Sequence, residues 1–480
     1  MDRELVMYME RIARGGHLYE KMKEAYRNGF VDNVAVRKVG PEIEGILVRA
    51  SDGMAPNLKE ITGLFESMNA GDGSWKLVKE KLMVNGTERE MCTAVEKEIG
   101  GYKATVTTDL GKRTVEITIP PAETLRKSEE YVRSLLGMVS EAAEARGLYL
   151  LGVGVQPFTP PSVNVMMPKE RYSHMHRIMG DNLLNMTLTA AAQCHIDVSK
   201  EEVSGVINAL NGFAPAMIAL TANSTIVEGR KSSYLEFRGV AWDNIVAEGK
   251  LERDRVGVAP RLSGEDAAFE LITRFVPFLT KREGEYVAYN RLRSMTEHLS
   301  EGQAEVSLIF GDKAFVVELD HVDLAFLEGT VWHEARAKSA YGTVESRACA
   351  FQGSTAEIMA IAAVTKGIAE NRAEAEERVS RYTLEELRRG RDEALRDGLG
   401  AHVGKEPVEE LARDMLNIAR SGLERCGEDT SYLKPLYDNL NAMENPAVRT
   451  RKLYDELVKA SGGDDAKVRA ALVESMRFKG

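Results

Sequence analysis

The chain has 480 residues, 44% of them hydrophobic and 29% charged, and its formal net charge at pH 7 is −11. This composition is typical of a folded globular protein and excludes disordered and collagen-like chains. The acidic balance argues against binding to nucleic acid or to an anionic membrane surface. No apolar run reaches the roughly 18 residues of a membrane helix, and no secretory-signal pattern is present. The four cysteines lie far apart in sequence, as is typical of a reducing compartment, so we expect a cytoplasmic protein.

Hydrophobic periodicity predicts alternating helices and strands in the first third of the chain. The hairpin is the clearest of these elements, because two β-branched runs flank a turn that contains glycine. The elements, in chain order, are a helix over 1–30 with a break at Gly15-Gly16, a strand region over 34–48, a hairpin of 102–108 with 114–119, a helix over 122–146, and a strand over 148–156.

The rest of the chain changes character after residue 370. A capping-box pattern that begins at Ser199 predicts a helix with Val203, Val206, Ile207 and Leu210 on one face. Beyond residue 371, alternating Glu and Arg with leucines at helical spacing predict about 110 residues of helices. We therefore expect a main region over 1–370 and a helical C-terminal region over 371–480. The elements predicted between the two patterns are strands over 305–309, 314–318 and 342–347 and a helix over 355–369.

Common nucleotide and catalytic motifs are absent or incomplete. The sequence Gly152-x-Gly154 follows a predicted strand, but Pro157 stands at the third position of a dinucleotide-binding fingerprint. Neither a P-loop nor a G-x-S-x-G nucleophile motif occurs. The pair His174-x-His176 has no third ligand at a typical zinc spacing.

Acidic side chains on predicted strands are the feature that remains. A carboxylate that faces a core is costly unless it is paired or binds a metal ion. Two interpretations stay open: surface salt bridges with Arg347 and Arg238, each two residues after a Glu, or a concave sheet face that binds Mg²⁺ and phosphate. The carboxylates concerned are Glu42, Glu44, Glu116 and Glu345.

Several blocks of sequence resemble the glutamate–cysteine ligase family of the plant and proteobacterial type in both order and spacing. The most specific block is Ala222-Asn223-Ser224 together with the arginine that follows at position 238. The resemblance extends over roughly residues 38 to 370, and its blocks are 108–116, 120–125, 167–172, 193–197, 219–224, 228–230, 234–242 and 342–347.

The resemblance implies an α+β fold similar to glutamine synthetase, with a curved, mainly antiparallel sheet, helices on its outer face, and ATP with Mg²⁺ in its mouth. It also implies that a substrate carboxylate takes the γ-phosphoryl group of ATP and that an amine then displaces phosphate to form an amide. The implied roles are Mg²⁺ binding by Glu42, Glu44, Glu116 and Glu345, catalysis by Arg347 and Arg238, and nucleotide binding by Gln193, His195, Asn223 and Arg230.

One departure from the family pattern leaves the substrates open. Leu188 stands where the family commonly has an arginine, so one contact to an acidic substrate is missing, and Asp109 is the nearest candidate for the carboxylate of the glycine turn. Three alternatives follow: a ligase for glutamate and cysteine, the same chemistry on another acid and amine, or a catalytically silent binding relative. The expected partners are small amino-acid substrates, and a homo-oligomer stays open. We also expect Glu345→Gln to slow turnover while folding stays nearly intact.

Overall fold

The computed structural model describes residues 3–480 except 70–72, 85, 248, 250, 310 and 312, and it describes side chains from residue 15 onward. Its helices are α1 Arg3–Arg27, α2 Leu58–Asn69, α3 Leu125–Glu144, α4 Glu170–Met179, α5 Val203–Gly212, α6 Ala214–Thr221, α7 Phe237–Asn244, α8 Ala267–Thr273, α9 Met295–Glu301, α10 His321–Gly329, α11 Thr355–Glu370, α12 Arg372–Val379, α13 Leu384–Asp397, α14 Val408–Arg425, α15 Lys434–Ala442, α16 Pro446–Ser461 and α17 Asp465–Ser475. Its strands are β1 Val39–Arg49, β2 Lys76–Val84, β3 Thr87–Ile99, β4 Tyr102–Thr108, β5 Thr114–Thr118, β6 Leu148–Leu151, β7 Ala192–Asp197, β8 Ile226–Val227, β9 Arg230–Lys231, β10 Val256–Gly257, β11 Leu279–Arg282, β12 Glu285–Tyr289, β13 Ala304–Leu308, β14 Ala314–Val317, β15 Trp332–His333, β16 Ala335–Lys338, β17 Thr343–Ser346, β18 His402–Val403 and β19 Glu406–Pro407.

The main sheet has the strand order β16-β17-β7-β1-β5-β4-β3-β2, and β6 also pairs with β1. Its strand pairs are antiparallel. A second antiparallel sheet has the order β11-β12-β13-β14. The predicted α+β class with a mainly antiparallel sheet is therefore confirmed.

The two faces of the main sheet differ because side chains alternate along β1. Ile43 is fully buried on one face, while Glu42 and Glu44 point to the other. The apolar face shares one core cluster with α3 and α11, through side chains such as Leu136 and Ile361. Helices thus cover the apolar face, and the acidic face remains available for a binding site.

One local prediction is wrong and another is confirmed only in part. Helix α1 continues through Gly15 and Gly16 without a break, and a Cβ atom on Gly15 would lie 2.0 Å from the carbonyl oxygen of Ser300, so glycine there permits close packing against α9. The capping box predicted at Ser199 is half formed: the Ser199 backbone amide donates to the Glu202 carboxylate at 2.9 Å, as in such a box, but α5 begins only at Val203.

The predicted helical region after residue 371 is present as α12 to α17. Helix α14 packs closely against α11, since a Cβ atom on Gly422 would lie 2.0 Å from the carbonyl oxygen of Gly367. Apolar residues of α14, such as Leu411 and Met415, belong to the same core cluster as the main sheet. The proposed division at residue 370 itself stays a prediction.

Within the described residues, no single helix combines the length and apolar composition needed to cross a membrane. The bent pair α5 and α6 meets both criteria only when its two helices are taken together. Among the cysteines, Cys92, Cys194 and Cys349 are buried and Cys426 is exposed, all four as free thiols.

Candidate active site

Strand register gathers the predicted polar side chains on one face of the main sheet. Glu44 on β1 lies opposite Glu116 on β5, and Glu42 lies opposite Gln193 on β7. Residues that are directly opposite, or two apart along a strand, share a face of a sheet. The sequence-predicted carboxylates of β1 and β5 are therefore neighbours, although more than 70 residues separate them along the chain.

The same row continues toward the edge of the sheet. His195 on β7 lies opposite Glu345 on β17, and Glu345 lies opposite Arg336 on β16. The His195 ring contacts the Thr343 hydroxyl at 2.9 Å and the Glu42 carboxylate at 3.3 Å. This edge of the row thus adds cationic side chains to the acidic ones.

A cavity of about 310 Å³ lies over this row. Glu42, Glu44, Glu116 and Gln193 contribute to its floor, and Arg347 borders it. A volume of this size is typical of a small-molecule site. Apolar side chains complete the lining, among them Met175, Met186, Trp242, Leu279, Phe326 and Trp332.

One side of the cavity carries four acidic residues, which we call the carboxylate cluster: Glu42, Glu44, Asp109 and Glu116. Burial raises the pKa of Glu116 well above its ordinary value, and the neighbouring carboxylates raise it further. Burial and the nearby Asp109 raise the pKa of Glu44 to about 8. Burial also raises the pKa of Asp109 itself. These three carboxyl groups therefore disfavour a negative charge unless a cation joins them, whereas burial of Glu42 is outweighed by its hydrogen bond with His195 and by nearby charges, which lower its pKa.

Two arginines, Arg336 and Arg347, border the cavity at the β16–β17 edge of the sheet, and we call them the arginine side; Arg171 on α4 also borders the cavity but lies near Asp109 and Glu116. Arg336 donates to Glu345 at 2.8 Å, and Arg347 donates to the same carboxylate. The two guanidinium groups outweigh burial and hold the pKa of Glu345 well below its usual range. Arg171 stacks on the Tyr172 ring and bonds its hydroxyl, while its Nε atom is buried without a hydrogen-bond partner.

Gln193 connects the two sides. Its Nε2 atom donates to Glu44 at 2.7 Å, and its Oε1 atom accepts a hydrogen bond from Arg347. The other oxygen of Glu44, Oε2, is buried without a hydrogen-bond partner. Gln193 thus fixes the distance between the carboxylate cluster and the arginine side.

Glu345 differs from the other candidate metal ligands. Both of its carboxylate oxygens bond to arginines, whereas no arginine in the described part of the chain donates to the carboxylate cluster. Among the described residues, no three His, Cys, Asp or Glu side chains are arranged closely enough to hold a metal ion by themselves. The role of Glu345 as a Mg²⁺ ligand stays a prediction, and its contacts favour the positioning of Arg347.

Arg238 lies in helix α7, although the alternating residues around it suggest a strand. The Glu236 carboxylate accepts hydrogen bonds from the Asn223 backbone amide at 2.9 Å and from the Ser224 hydroxyl. Helix α7 begins at the next residue, Phe237. Arg238 is buried behind Trp242, where it borders a small second cavity instead of the main one.

Two further predicted residues are not brought to the cavity. The Asn223 side chain donates to the carbonyl oxygens of Gly152 and Phe351, each at 2.8 Å, so it holds three chain segments together. Arg230 is exposed on the short β8–β9 hairpin. Neither residue lines the cavity over the sheet, which we call the main cavity because it holds the carboxylates; Asn223 borders a separate and larger cavity of about 750 Å³.

Several residues of the cavity were not predicted from the sequence. Arg336 had a usable signal, because Arg336 and Lys338 alternate with the buried Ala335 and Ala337 along β16. Trp332 had none, since it lies on a two-residue strand whose position depends on its parallel pairing with β10.

A sequence model of glutamate-cysteine ligase family 2 (GCS2) matches residues 39–459. The chloroplastic glutamate–cysteine ligase of Brassica juncea is 25% identical over 91% of this chain and 79% of its own length. The chloroplastic enzyme of Medicago truncatula is 25% identical over 71% of this chain and 66% of its own length, so the chain spans about two thirds of that relative.

Two solved structures align with most of this chain. The glutamate–cysteine ligase of Francisella tularensis in complex with AMP aligns with a TM-score of 0.48 at 8% identity, over 94% of this chain and 90% of that chain. The bifunctional glutathione synthetase of Pasteurella multocida aligns with a TM-score of 0.49 at 11% identity, over 95% of this chain and 52% of that chain. Because the family match covers most of the sequence, including every strand of the main sheet, the chain belongs to glutamate-cysteine ligase family 2.

Proposed function

We propose that this chain is an ATP- and Mg²⁺-dependent carboxylate–amine ligase, with glutamate and cysteine as the leading substrate pair. The observation that carries the proposal is the cavity over the main sheet, in which a carboxylate cluster faces an arginine side. Family membership supports the same chemistry. A nucleotide triphosphate with its divalent cation carries both kinds of charge that such a cavity would bind.

The carboxylate cluster fits Mg²⁺. This ion prefers carboxylate oxygens, keeps several water ligands and bridges to nucleotide phosphates, so a complete set of protein ligands is not needed. The unpartnered Glu44 Oε2 and the raised pKa of Glu116, which burial and the surrounding carboxylates cause, support a cation at this position. When bound, Mg²⁺ would neutralise phosphate charge and make the γ-phosphorus more electrophilic.

The arginine side suits the charge that develops during phosphoryl transfer. In the proposed reaction, a carboxylate oxygen of the acid substrate attacks the γ-phosphorus of ATP and ADP leaves, which gives an acyl phosphate. Arg347 would hold the transferring phosphoryl group, because its guanidinium is fixed by Glu345, Gln193 and the face of Trp242 before substrate binds. Such preorganised charge needs no rearrangement during the reaction.

The second step forms the amide. The amine nitrogen attacks the acyl carbon, inorganic phosphate leaves with the carbon–oxygen electron pair, and the nitrogen loses a proton. The acyl phosphate must be protected from water until the amine arrives. The apolar wall that Trp242, Trp332 and Phe326 form beside the cavity would provide this protection.

The identity of the acid and the amine depends on the residues that replace the missing arginine. Leu188 is 3% exposed and cannot bind a carboxylate, which favours the second candidate, the same ligase chemistry on a different pair. The expected cytoplasmic location also stays a prediction, because the plant relatives are named as chloroplastic proteins.

Phosphate release with ATP, Mg²⁺ and pools of amino acids tests the proposal. Release that requires glutamate and cysteine together supports the leading pair, and release with another pair supports the second candidate. No release with any pool would contradict ligase activity and leave the silent binding relative. Arg347→Met should lower the rate at least tenfold, about 1.4 kcal/mol in barrier. Arg378→Met, which replaces a buried arginine on α12 away from the cavity, is the matched control.

A further inference from the structure

A buried arginine from the C-terminal helical region lies directly behind the cavity. Arg391 on α13 is 4% exposed. Its Nη1 atom donates to the Asp243 carboxylate at 2.8 Å, and its Nε atom donates to the Glu334 carboxylate. Burial alone would lower the pKa of Arg391, but the two carboxylates raise it above its ordinary value. The three charges therefore form a tightly paired, desolvated group.

Both carboxylates lie next to residues of the cavity wall. Asp243 follows Trp242 on α7, and Glu334 follows Trp332 by two residues. The rings of Trp242 and Trp332 contact each other, with centroids 5.6 Å apart, and both border the cavity. Arg391 thus joins the two chain segments that supply the tryptophans.

The same segments hold Arg347. Its backbone amide donates to the Glu334 carbonyl oxygen at 2.7 Å, and its guanidinium carbon lies 5.7 Å from the centre of the Trp242 ring. Arg347, Trp242, Trp332 and Arg391 border one internal space of only about 10 Å³. With so little free volume, a shift at Arg391 has to move its neighbours.

We propose that Arg391 is a positioning residue of the active site, which holds Trp242 and Glu334 so that Arg347 points into the cavity. The inference rests on the proposed ligase function. Removing the Arg391 guanidinium leaves the buried Glu334 carboxylate and the partly buried Asp243 carboxylate without their shared cation, so that they repel each other and the two wall segments separate. A displacement of about 1 Å in a catalytic group is enough to lower a rate by roughly 100-fold.

Arg378 on α12 is the control, because it is also a buried arginine that pairs with two carboxylates, although these are more exposed than the partners of Arg391. It is 6% exposed and donates to Asp414 at 2.6 Å, to Glu406, and to the Tyr382 hydroxyl at 3.0 Å. None of these residues borders the main cavity. Loss of Arg378 therefore removes a buried arginine with two carboxylate partners and leaves Arg347 in place.

The test compares Arg391→Met, Arg391→Lys and Arg378→Met in a Trp75→Phe background. The chain has three tryptophans, so in this background the tryptophan fluorescence comes only from Trp242 and Trp332. We expect Arg391→Met to lower kcat at least tenfold, with KM values for ATP and the amino acids within about threefold, and to shift the emission maximum. Arg378→Met should also lower the unfolding midpoint, by less than Arg391→Met because its carboxylate partners are more exposed, and should change neither kcat nor emission.

Arg391→Lys keeps the charge and one of the two contacts, so its kcat should fall between those of the parent and Arg391→Met. If Arg391→Met does not fold, this lysine variant carries the comparison with Arg378→Met. If the parent is active and the Arg391 variants have the same kcat as Arg378→Met, the inference is overturned. A parent that releases no phosphate overturns the proposed function instead, and the emission shift then decides by itself whether Arg391 positions the wall.

Discussion

Replacing Glu44 by glutamine should stabilise the chain and at the same time abolish most of its turnover. Glu44 is 5% exposed, and burial together with the nearby Asp109 raises its pKa to about 8. A neutral amide of nearly the same shape avoids this unfavourable charge. The Gln193 Nε2 atom can still donate to the amide oxygen, so the hydrogen bond of 2.7 Å is retained.

The size of the effect follows from the raised pKa. A carboxylate whose folded pKa is about 8, against an ordinary value of 4.5, binds its proton more tightly in the folded state. The parent therefore loses stability as the pH rises from 4.5 to 8, and the glutamine variant lacks this loss. At pH 7 the difference between them is about 3 kcal/mol. For a chain of 480 residues, this corresponds to roughly 3 °C in Tm.

Calorimetric unfolding in the presence of a chelator, at pH 5 and at pH 7, measures this difference. We expect Glu44→Gln to unfold at a higher temperature than the parent at pH 7 and at nearly the same temperature at pH 5. Added Mg²⁺ should stabilise the parent more than the variant, and phosphate release by the variant should fall at least tenfold. Glu98→Gln, which changes an exposed residue on β3, should leave the unfolding temperature, the stabilisation by Mg²⁺ and phosphate release unchanged. A variant less stable than the parent at pH 7 would refute the reasoning about the carboxylate cluster.

Glu345→Gln should have the opposite effect on stability, because it leaves two buried guanidinium groups without their carboxylate. We expect the free energy of unfolding, measured with denaturant, to fall by about 3–5 kcal/mol, contrary to the nearly intact folding predicted from sequence. A variant as stable as the parent would contradict the pairing. Burial raises the pKa of Glu328 to about 6 from an ordinary value of 4.5, so between pH 4.5 and 6 the parent should lose about 1 kcal/mol of stability relative to Glu328→Gln, which urea unfolding at both pH values can measure. Gly422→Ala should lower the free energy of unfolding by about 1–3 kcal/mol, since its Cβ atom would lie 2.0 Å from the carbonyl oxygen of Gly367. An unchanged unfolding midpoint would mean that α11 and α14 can separate freely.

Local sequence patterns predicted the strands that carry the site because alternation is strong there. Glu42 and Glu44 flank the fully buried Ile43, and Glu116 lies on the second strand of a hairpin with a clear turn. The pairing of Glu44 with Glu116 was not available from these patterns, because it depends on strands far apart in sequence. The resemblance to the ligase family supplied that connection.

The failures are equally specific. The segment around Arg238 alternates like a strand, but the Glu236 carboxylate binds the Asn223 amide and the Ser224 hydroxyl, and the chain turns into α7. Asn223 and Arg230 belong to matched sequence blocks, yet neither borders the main cavity. Proximity within a sequence block therefore did not imply proximity to the site. Arg391 had no signal at all, because its function depends on contacts between segments more than 50 residues apart.

The charge distribution around the cavity restricts which ligand completes it. An amino acid alone would satisfy the arginine side through its carboxylate groups and leave the carboxylate cluster unpaired. A metal ion alone would do the reverse. Since Gln193 bonds Glu44 on one side and Arg347 on the other, a ligand that pulls on one side shifts the other. A nucleotide phosphate with its Mg²⁺ ion is the kind of ligand that neutralises both sides at once, and it would bring the phosphoryl group to the position where Arg347 can stabilise its transfer.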